Sequence, residues 1–243
     1  RSKTGGRFVI FDKSHKKEHG LFLFRDENVG IQFQLPLIGP GDEITSDSLA
    51  FPHCQGIFDW PVNKYLPVLL PELTFGEQVV IPSYYGKNCV TGIGPRKSFY
   101  LRFEQPDLVR TDGTFAYGLG SCQVQWTFGS GKVTSEFTFR VKNPVTMDSM
   151  RYAIVIGSPH STYRLGTTLR QGTEGLRPTV EKDDFMAAWG DFETVTDEPE
   201  YRGYAGNVHY VQFLRREHPL MMRPGILYKF RISFEPDIAF ADE

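Results

Sequence analysis

The stretch Ser121-Cys122-Gln123-Val124-Gln125-Trp126-Thr127-Phe128-Gly129-Ser130-Gly131-Lys132-Val133-Thr134-Ser135-Glu136-Phe137-Thr138-Phe139-Arg140-Val141 carries most of what this 243-residue chain says about its fold class. Up to Phe128 the even positions are Cys122, Val124, Trp126 and Phe128, and the odd ones are Ser121, Gln123, Gln125 and Thr127. A period of two is the pattern of an extended strand, whose successive side chains point to opposite faces. After Gly129-Ser130-Gly131 the apolar set moves to Val133, Phe137, Phe139 and Val141, with Lys132, Thr134, Glu136, Thr138 and Arg140 on the other face. Two such segments about a glycine-rich turn predict an antiparallel hairpin with one face in a core and one face polar.

The same alternation returns near the C-terminus, where Ile226, Tyr228, Phe230, Ile232 and Phe234 interleave with Leu227, Lys229, Arg231 and Ser233. Arg7 to Phe11, Leu21 to Phe24 and Tyr152 to Ile156 are apolar enough for strands buried on both faces. Further strands are expected over Ile31 to Leu35, Val79 to Tyr84, Phe99 to Phe103, Gly190 to Val195 and Val208 to Leu214. Helix is confined to Asp183 to Trp189, where Asp183 or Asp184 is a candidate N-cap for one or two turns. About a dozen strands with very little helix predict an all-β chain, a large antiparallel β-sandwich of the supersandwich kind. Residues 1–243 are expected to form a single sandwich domain, with a sub-boundary near 143–150. The chain opens Arg1-Ser2-Lys3 without Met and reaches a strand pattern by Arg7, so a piece of a longer protein is expected. Pro36 to Pro67 and Ser158 to Lys182 read as long irregular stretches, of the kind that carries function or meets another domain.

Composition narrows the function classes. With 20 Phe, 11 Tyr and 3 Trp, the chain is far too apolar for disorder. A net charge of −2 gives no basic field for nucleic acid, so no nucleic-acid partner is expected. The longest apolar runs fall well short of the roughly 20 residues that a membrane-crossing helix needs, so no membrane partner is expected either. Cys54, Cys89 and Cys122 are odd in number and widely spaced, which favours a reducing, cytoplasmic compartment with no targeting segment in view. Cys122 lies in phase with the core face of its strand and reads as a buried thiol. No metal and no cofactor are expected: ligand spacings, phosphate loops and nucleophile elbows are missing, and Gly92-Ile93-Gly94-Pro95 reads as a turn.

Three constellations remain. Phe51-Pro52-His53-Cys54-Gln55-Gly56-Ile57-Phe58-Asp59-Trp60-Pro61 gathers an imidazole, a thiol, a carboxylate and an indole in one loop. His53 and Asp59 are the candidate acid–base pair and Trp60 a stacking surface; alternatively, the aromatics anchor the loop and the polar pair satisfies its backbone. In Ile81-Pro82-Ser83-Tyr84-Tyr85-Gly86-Lys87-Asn88, the residues Tyr84, Tyr85 and Asn88 would rim a sugar or carboxylate site, or else simply end a strand. Arg164 in Ser158-Pro159-His160-Ser161-Thr162-Tyr163-Arg164, or Arg202, would clamp a carboxylate such as that of a uronic acid; with Trp189, Tyr201, Tyr204 and His209 it equally describes a domain interface.

Phe51 to Pro61, Leu66-Pro67-Val68-Leu69-Leu70-Pro71-Glu72-Leu73 and Pro82 to Asn88 resemble the C-terminal β-sandwich region of a bacterial group in which an (α/α) toroid precedes the sandwich sheets. That group is allied to uronic-acid-releasing glycoside hydrolases and heparinase-type polysaccharide lyases. The resemblance implies that a toroid supplies most catalytic residues while the sandwich buttresses it and lends loop residues to the cleft. No toroid-like helical sequence occurs here, so the expected role is that of an accessory module. The expected partners are a carbohydrate or uronic-acid ligand and a helical catalytic domain absent from this chain. Two other readings are an apolar-ligand-binding sandwich, motivated by the many Phe residues, and a self-contained carbohydrate-active enzyme using His53 and Asp59.

Overall fold

The hairpin read from residues 121–141 forms the middle of a sheet. The computed structural model describes residues 4–12, 19–26, 31–37, 57–59, 68–81, 87–110, 114–129, 131–157, 169–171, 174–195, 202–203, 206–216 and 218–237. Its first strands are β1 (Thr4–Asp12), β2 (His19–Asp26), β3 (Ile31–Leu37), β4 (Ile57–Asp59), β5 (Val68–Phe75) and β6 (Gln78–Ile81). Next come β7 (Lys87–Ile93), β8 (Phe99–Gln105), β9 (Leu108–Arg110), β10 (Phe115–Ala116), β11 (Gly120–Gly129) and β12 (Lys132–Val141). They are followed by β13 (Val145–Met147), β14 (Ser149–Gly157), β15 (Leu169–Gln171), β16 (Glu174–Asp183) and β17 (Ala188–Val195). The last are β18 (Arg202–Gly203), β19 (Gly206–Arg216), β20 (Leu220–Met222) and β21 (Tyr228–Pro236).

All pairings among the described residues are antiparallel. A 12-stranded sheet runs β1-β2-β3-β4-β5-β14-β19-β17, with β6, β9 and β10 extending from β5 and β18 paired to β19. A seven-stranded sheet runs β15-β16-β21-β12-β11-β8-β7, and β13 pairs with β20. The fold is therefore an all-β, antiparallel sandwich, and its long strands number about a dozen. Among the described residues the one helical element is a single 3-10 turn, Pro95–Lys97, which joins β7 to β8 where a turn was expected. The stretch flagged as a sub-boundary, 143–150, is where the chain leaves the seven-stranded sheet and passes through β13 into β14 of the large one.

The core follows from alternation. Cys122, Val124, Trp126 and Phe128 of β11 are buried and their odd-numbered neighbours are half-buried. In register, Trp126 lies between Leu101 and Ser135, and the small Ser135 leaves room for large rings on either side. Tyr152, on β14 of the large sheet, enters that room: its ring centroid is 5.7 Å from Phe230, 6.0 Å from Phe234 and 6.3 Å from Phe137, all on the opposing sheet. Its hydroxyl lies 3.4 Å from that of Ser135, so the buried phenol is not left without a polar partner. Burial pushes the Tyr152 phenol far above its ordinary range, and the Ser135 bond offsets only part of that.

Three segments depart from expectation. Asp183 to Trp189 is a turn rather than a helix: the Asp183 carboxylate accepts the N–H groups of Phe185 (2.8 Å) and Ala187 (2.6 Å), and Met186 takes φ 51, which no right-handed helix tolerates. This turn carries the chain from β16 to β17, from one sheet to the other, and plugs Phe185 between Phe139 and Tyr228. Residues 174–183, expected within an irregular stretch, form the ten-residue β16. Among the described residues β15 pairs with Glu174 to Leu176 of this strand, and β21 pairs with it from Leu176 to Asp183. The last strand begins at Tyr228, because Gly225 turns with φ 82 and leaves Ile226 exposed.

Candidate functional site

The hairpin's polar residues line the outer face of the seven-stranded sheet, and the register arranges them in rows. One row is Tyr100–Thr127–Thr134–Ser233, the next Arg102–Gln125–Glu136–Arg231, and the next Glu104–Gln123–Thr138–Lys229. Ser121 opposite Arg140 closes the series. On the β12–β21–β16 side the charges are absorbed by one another. Lys132 Nζ bonds Glu181 at 2.7 Å, and Arg231 Nε reaches Glu181 at 3.0 Å and Glu136 at 3.9 Å. Partial burial pushes the Glu181 carboxyl up, but the hydrogen bond and charge of Lys132, with the charge of Arg231, more than offset it and hold the group below its usual range.

The other side of the face is different. Where β8 ends, β11 begins and β12 ends, a half-open hollow of about 320 Å³ is lined by Glu104, Ser121, Gln123, Thr138 and Arg140 from the polar rows. Gln105, Pro106 and Cys122 complete the lining. Arg140 is exposed and makes no ion pair among the described residues. Gly120 allows the strands to close at this end, since a Cβ there would run into the Arg140 carbonyl. Gln105 is fully buried, and neither its amide nitrogen nor its amide oxygen has a hydrogen-bond partner among the described residues. The Cys122 thiol is buried, and burial pushes its pKa well up, with a bond to the backbone of Thr138 offsetting little; it is a packing group and not a nucleophile.

The hollow thus offers a cation, a carboxylate, a half-buried amide and two hydroxyls within one concavity. Side chains of these types bond vicinal hydroxyls in pairs, because carboxylate and amide each present two polar atoms in a plane. Among the described lining residues Glu104 is the one carboxylate. Among the described residues no cluster of three or more His, Cys, Asp or Glu is placed to hold a metal ion. A buried carboxylate elsewhere, Glu72, is bound by Arg151 from the adjacent strand of the large sheet.

Of the residues singled out from sequence, His53, Trp60, Tyr84, Tyr85 and Arg164 lie outside the described residues. Asp59 ends β4 in the large sheet, opposite Gln32, and Asn88 lies in the irregular register of β7 in the seven-stranded sheet, so these two belong to different sheets. Trp189, Arg202 and His209 fall on the adjoining strands β17, β18 and β19. Of the hollow's residues, Ser121, Gln123, Thr138 and Arg140 were read only as a hairpin's polar face, and Glu104 was not singled out. Alternation placed them on one side, but nothing in the sequence sets the pairing of β8 with β11 that brings Glu104 beside Gln123.

No family model matches this chain, and no curated protein does. Among solved structures, one described as a polysaccharide lyase is similar at a TM-score of 0.43 with 11% identity, over 99% of this chain and 33% of that protein. The chain therefore spans about a third of that protein's length.

Proposed function

We propose that this chain is the saccharide-binding, accessory β-sandwich module of a carbohydrate-active enzyme whose catalytic domain lies outside it. The observation that carries this reading is the hollow at the end of the seven-stranded sheet, where Glu104, Ser121, Gln123, Thr138 and Arg140 converge. A polyhydroxylated ligand suits such a lining, because each of its hydroxyls both donates and accepts and so can use carboxylate, amide and guanidinium together. Trp60, Tyr84, Tyr85, Asn88 and Arg164 stand in this proposal as further ligand contacts, and contact with a helical catalytic domain belongs to it as well.

A glycan array followed by titration calorimetry tests the reading. Binding of at least one polysaccharide is expected, with Arg140→Ala and Gln123→Ala each lowering affinity about ten-fold, the loss that follows from one hydrogen bond of charged or amide type. The chain alone should release no sugar from the polysaccharide it binds. Absence of binding, or binding untouched by both substitutions, would overturn the site; turnover by the chain alone would overturn its accessory role.

A further inference from the structure

The same face carries a second feature that the hollow does not use. Tyr100 projects from β8 on the outer face, opposite Gly92 of β7 in register. Among the described residues β7 is the edge strand of its sheet. A Cβ at Gly92 would lie 2.6 Å from Tyr100 Oη, 2.7 Å from Cζ and 2.8 Å from Cε1, and one at Gly94 would lie 3.8 Å from Cδ1. The hydroxyl end of the ring therefore lies over Gly92, in space that a side chain there would fill, whereas Gly94 is tight against Ser98 and only within ordinary contact distance of the ring. Tyr100 is only half-buried there. Between it and the hollow stand the exposed Arg102 and, beside it, the half-buried Gln125.

We propose that Tyr100, seated on Gly92, is the aromatic platform of a second saccharide subsite. The ligand of this face is then a linear oligosaccharide that runs along β8 from Tyr100 to the hollow. This rests on the saccharide-binding reading above and extends it to ligand size and direction. An aromatic ring with an apolar body and a polar tip is suited to the C–H face of a pyranose, while the hydroxyls at the sugar's edge reach neighbouring polar groups. From Tyr100 to Glu104 is four residues of strand, roughly 13 Å at about 3.3 Å per residue, a span too long for one sugar ring. Arg102 and Gln125 supply hydrogen-bonding groups along the way.

The test is titration calorimetry of the full chain with manno-, cello- and hyaluronan-oligosaccharides graded from disaccharide to hexasaccharide. Affinity of the unaltered chain is expected to rise with length. Tyr100→Ala should remove that rise, about ten-fold on the hexasaccharide, and leave the disaccharide unchanged. Gly92→Ala should act likewise without removing the ring, because its methyl displaces the far end of the Tyr100 side chain, whereas Tyr100→Phe should retain the length dependence. Equal affinity for short and long saccharides in the unaltered chain would overturn the proposal. So would a Tyr100→Ala chain that melts earlier yet binds the hexasaccharide as before, which is the signature of a ring that merely shields glycine backbone. If Arg140→Ala abolishes binding while Tyr100→Ala and Gly92→Ala change nothing, the second subsite fails and the hollow stands. If no saccharide binds the unaltered chain, both fail together.

Discussion

Gln105 illustrates how one side chain can break a pattern that its strand otherwise obeys. Along β8, Leu101, Phe103 and Gln105 share the buried face while Arg102 and Glu104 are exposed, so an amide occupies a position that alternation assigns to an apolar residue. Both of its polar atoms lack a partner among the described residues, and a buried amide without one costs about 1–3 kcal/mol. Gln105→Leu, close in volume and free of polar atoms, should therefore stabilise the chain by about 1 kcal/mol, seen as a higher denaturation midpoint at unchanged slope. A lower midpoint would mean that the amide is satisfied in solution, for which an ordered water is the simplest agent. Cys122, by contrast, was fully legible: its phase with Val124, Trp126 and Phe128 placed it in the core, where it lies.

Strands are bound to one another by charge as well as by their ladders on the outer face of the seven-stranded sheet. Glu181 of β16 accepts from Lys132 of β12 and pairs with Arg231 of β21, which lies between those two strands. Because the carboxyl is held below its ordinary value of 4.5, its contribution is complete above about that pH and is lost as pH falls through the lowered folded value. Stability should accordingly decline below about pH 4.5, and Glu181→Gln should flatten that part of the profile in denaturant titrations. The effect is modest, since the pair is open to solvent and screened by salt. A profile unchanged by Glu181→Gln would show that the pair contributes nothing. The element misjudged from sequence, β16, lies within a stretch expected to be irregular; it is a strand through its ladder with β21, a partner distant in the chain that no local period announces.

The two sheets meet through rings. Tyr152 crosses from β14 to touch Phe137, Phe230 and Phe234, and Phe185 in the inter-sheet turn wedges between Phe139 and Tyr228. Tyr152→Ala removes a fully buried aromatic from the centre of this contact and leaves Ser135 without its hydroxyl partner, so a loss of about 3–5 kcal/mol is expected in chemical denaturation. Tyr152→Phe should cost only about 1 kcal/mol, because it keeps the ring and gives up one weak hydrogen bond. Similar losses for both substitutions would place the stabilisation in the hydroxyl rather than in packing.

Local pattern was enough for the all-β class, the antiparallel hairpin at 121–141, most of the long strands and the burial of the apolar sides of β11, β12 and β21, because a strand's two faces are written in neighbouring residues. Which strands lie side by side was not, since pairing depends on contacts between distant parts of the chain that no local period encodes. Both candidate features of the polar face are of that second kind. Glu104 meets Gln123 and Arg140 lines the same hollow only through the order β8-β11-β12, and Tyr100 finds the space above Gly92 only because β7 is its neighbour. Residue types alone drew attention to the loop aromatics at Trp60, Tyr84 and Tyr85, where chemistry is dense along the chain. The hollow and the tyrosine platform arise where chemistry that is sparse along the chain becomes dense in space.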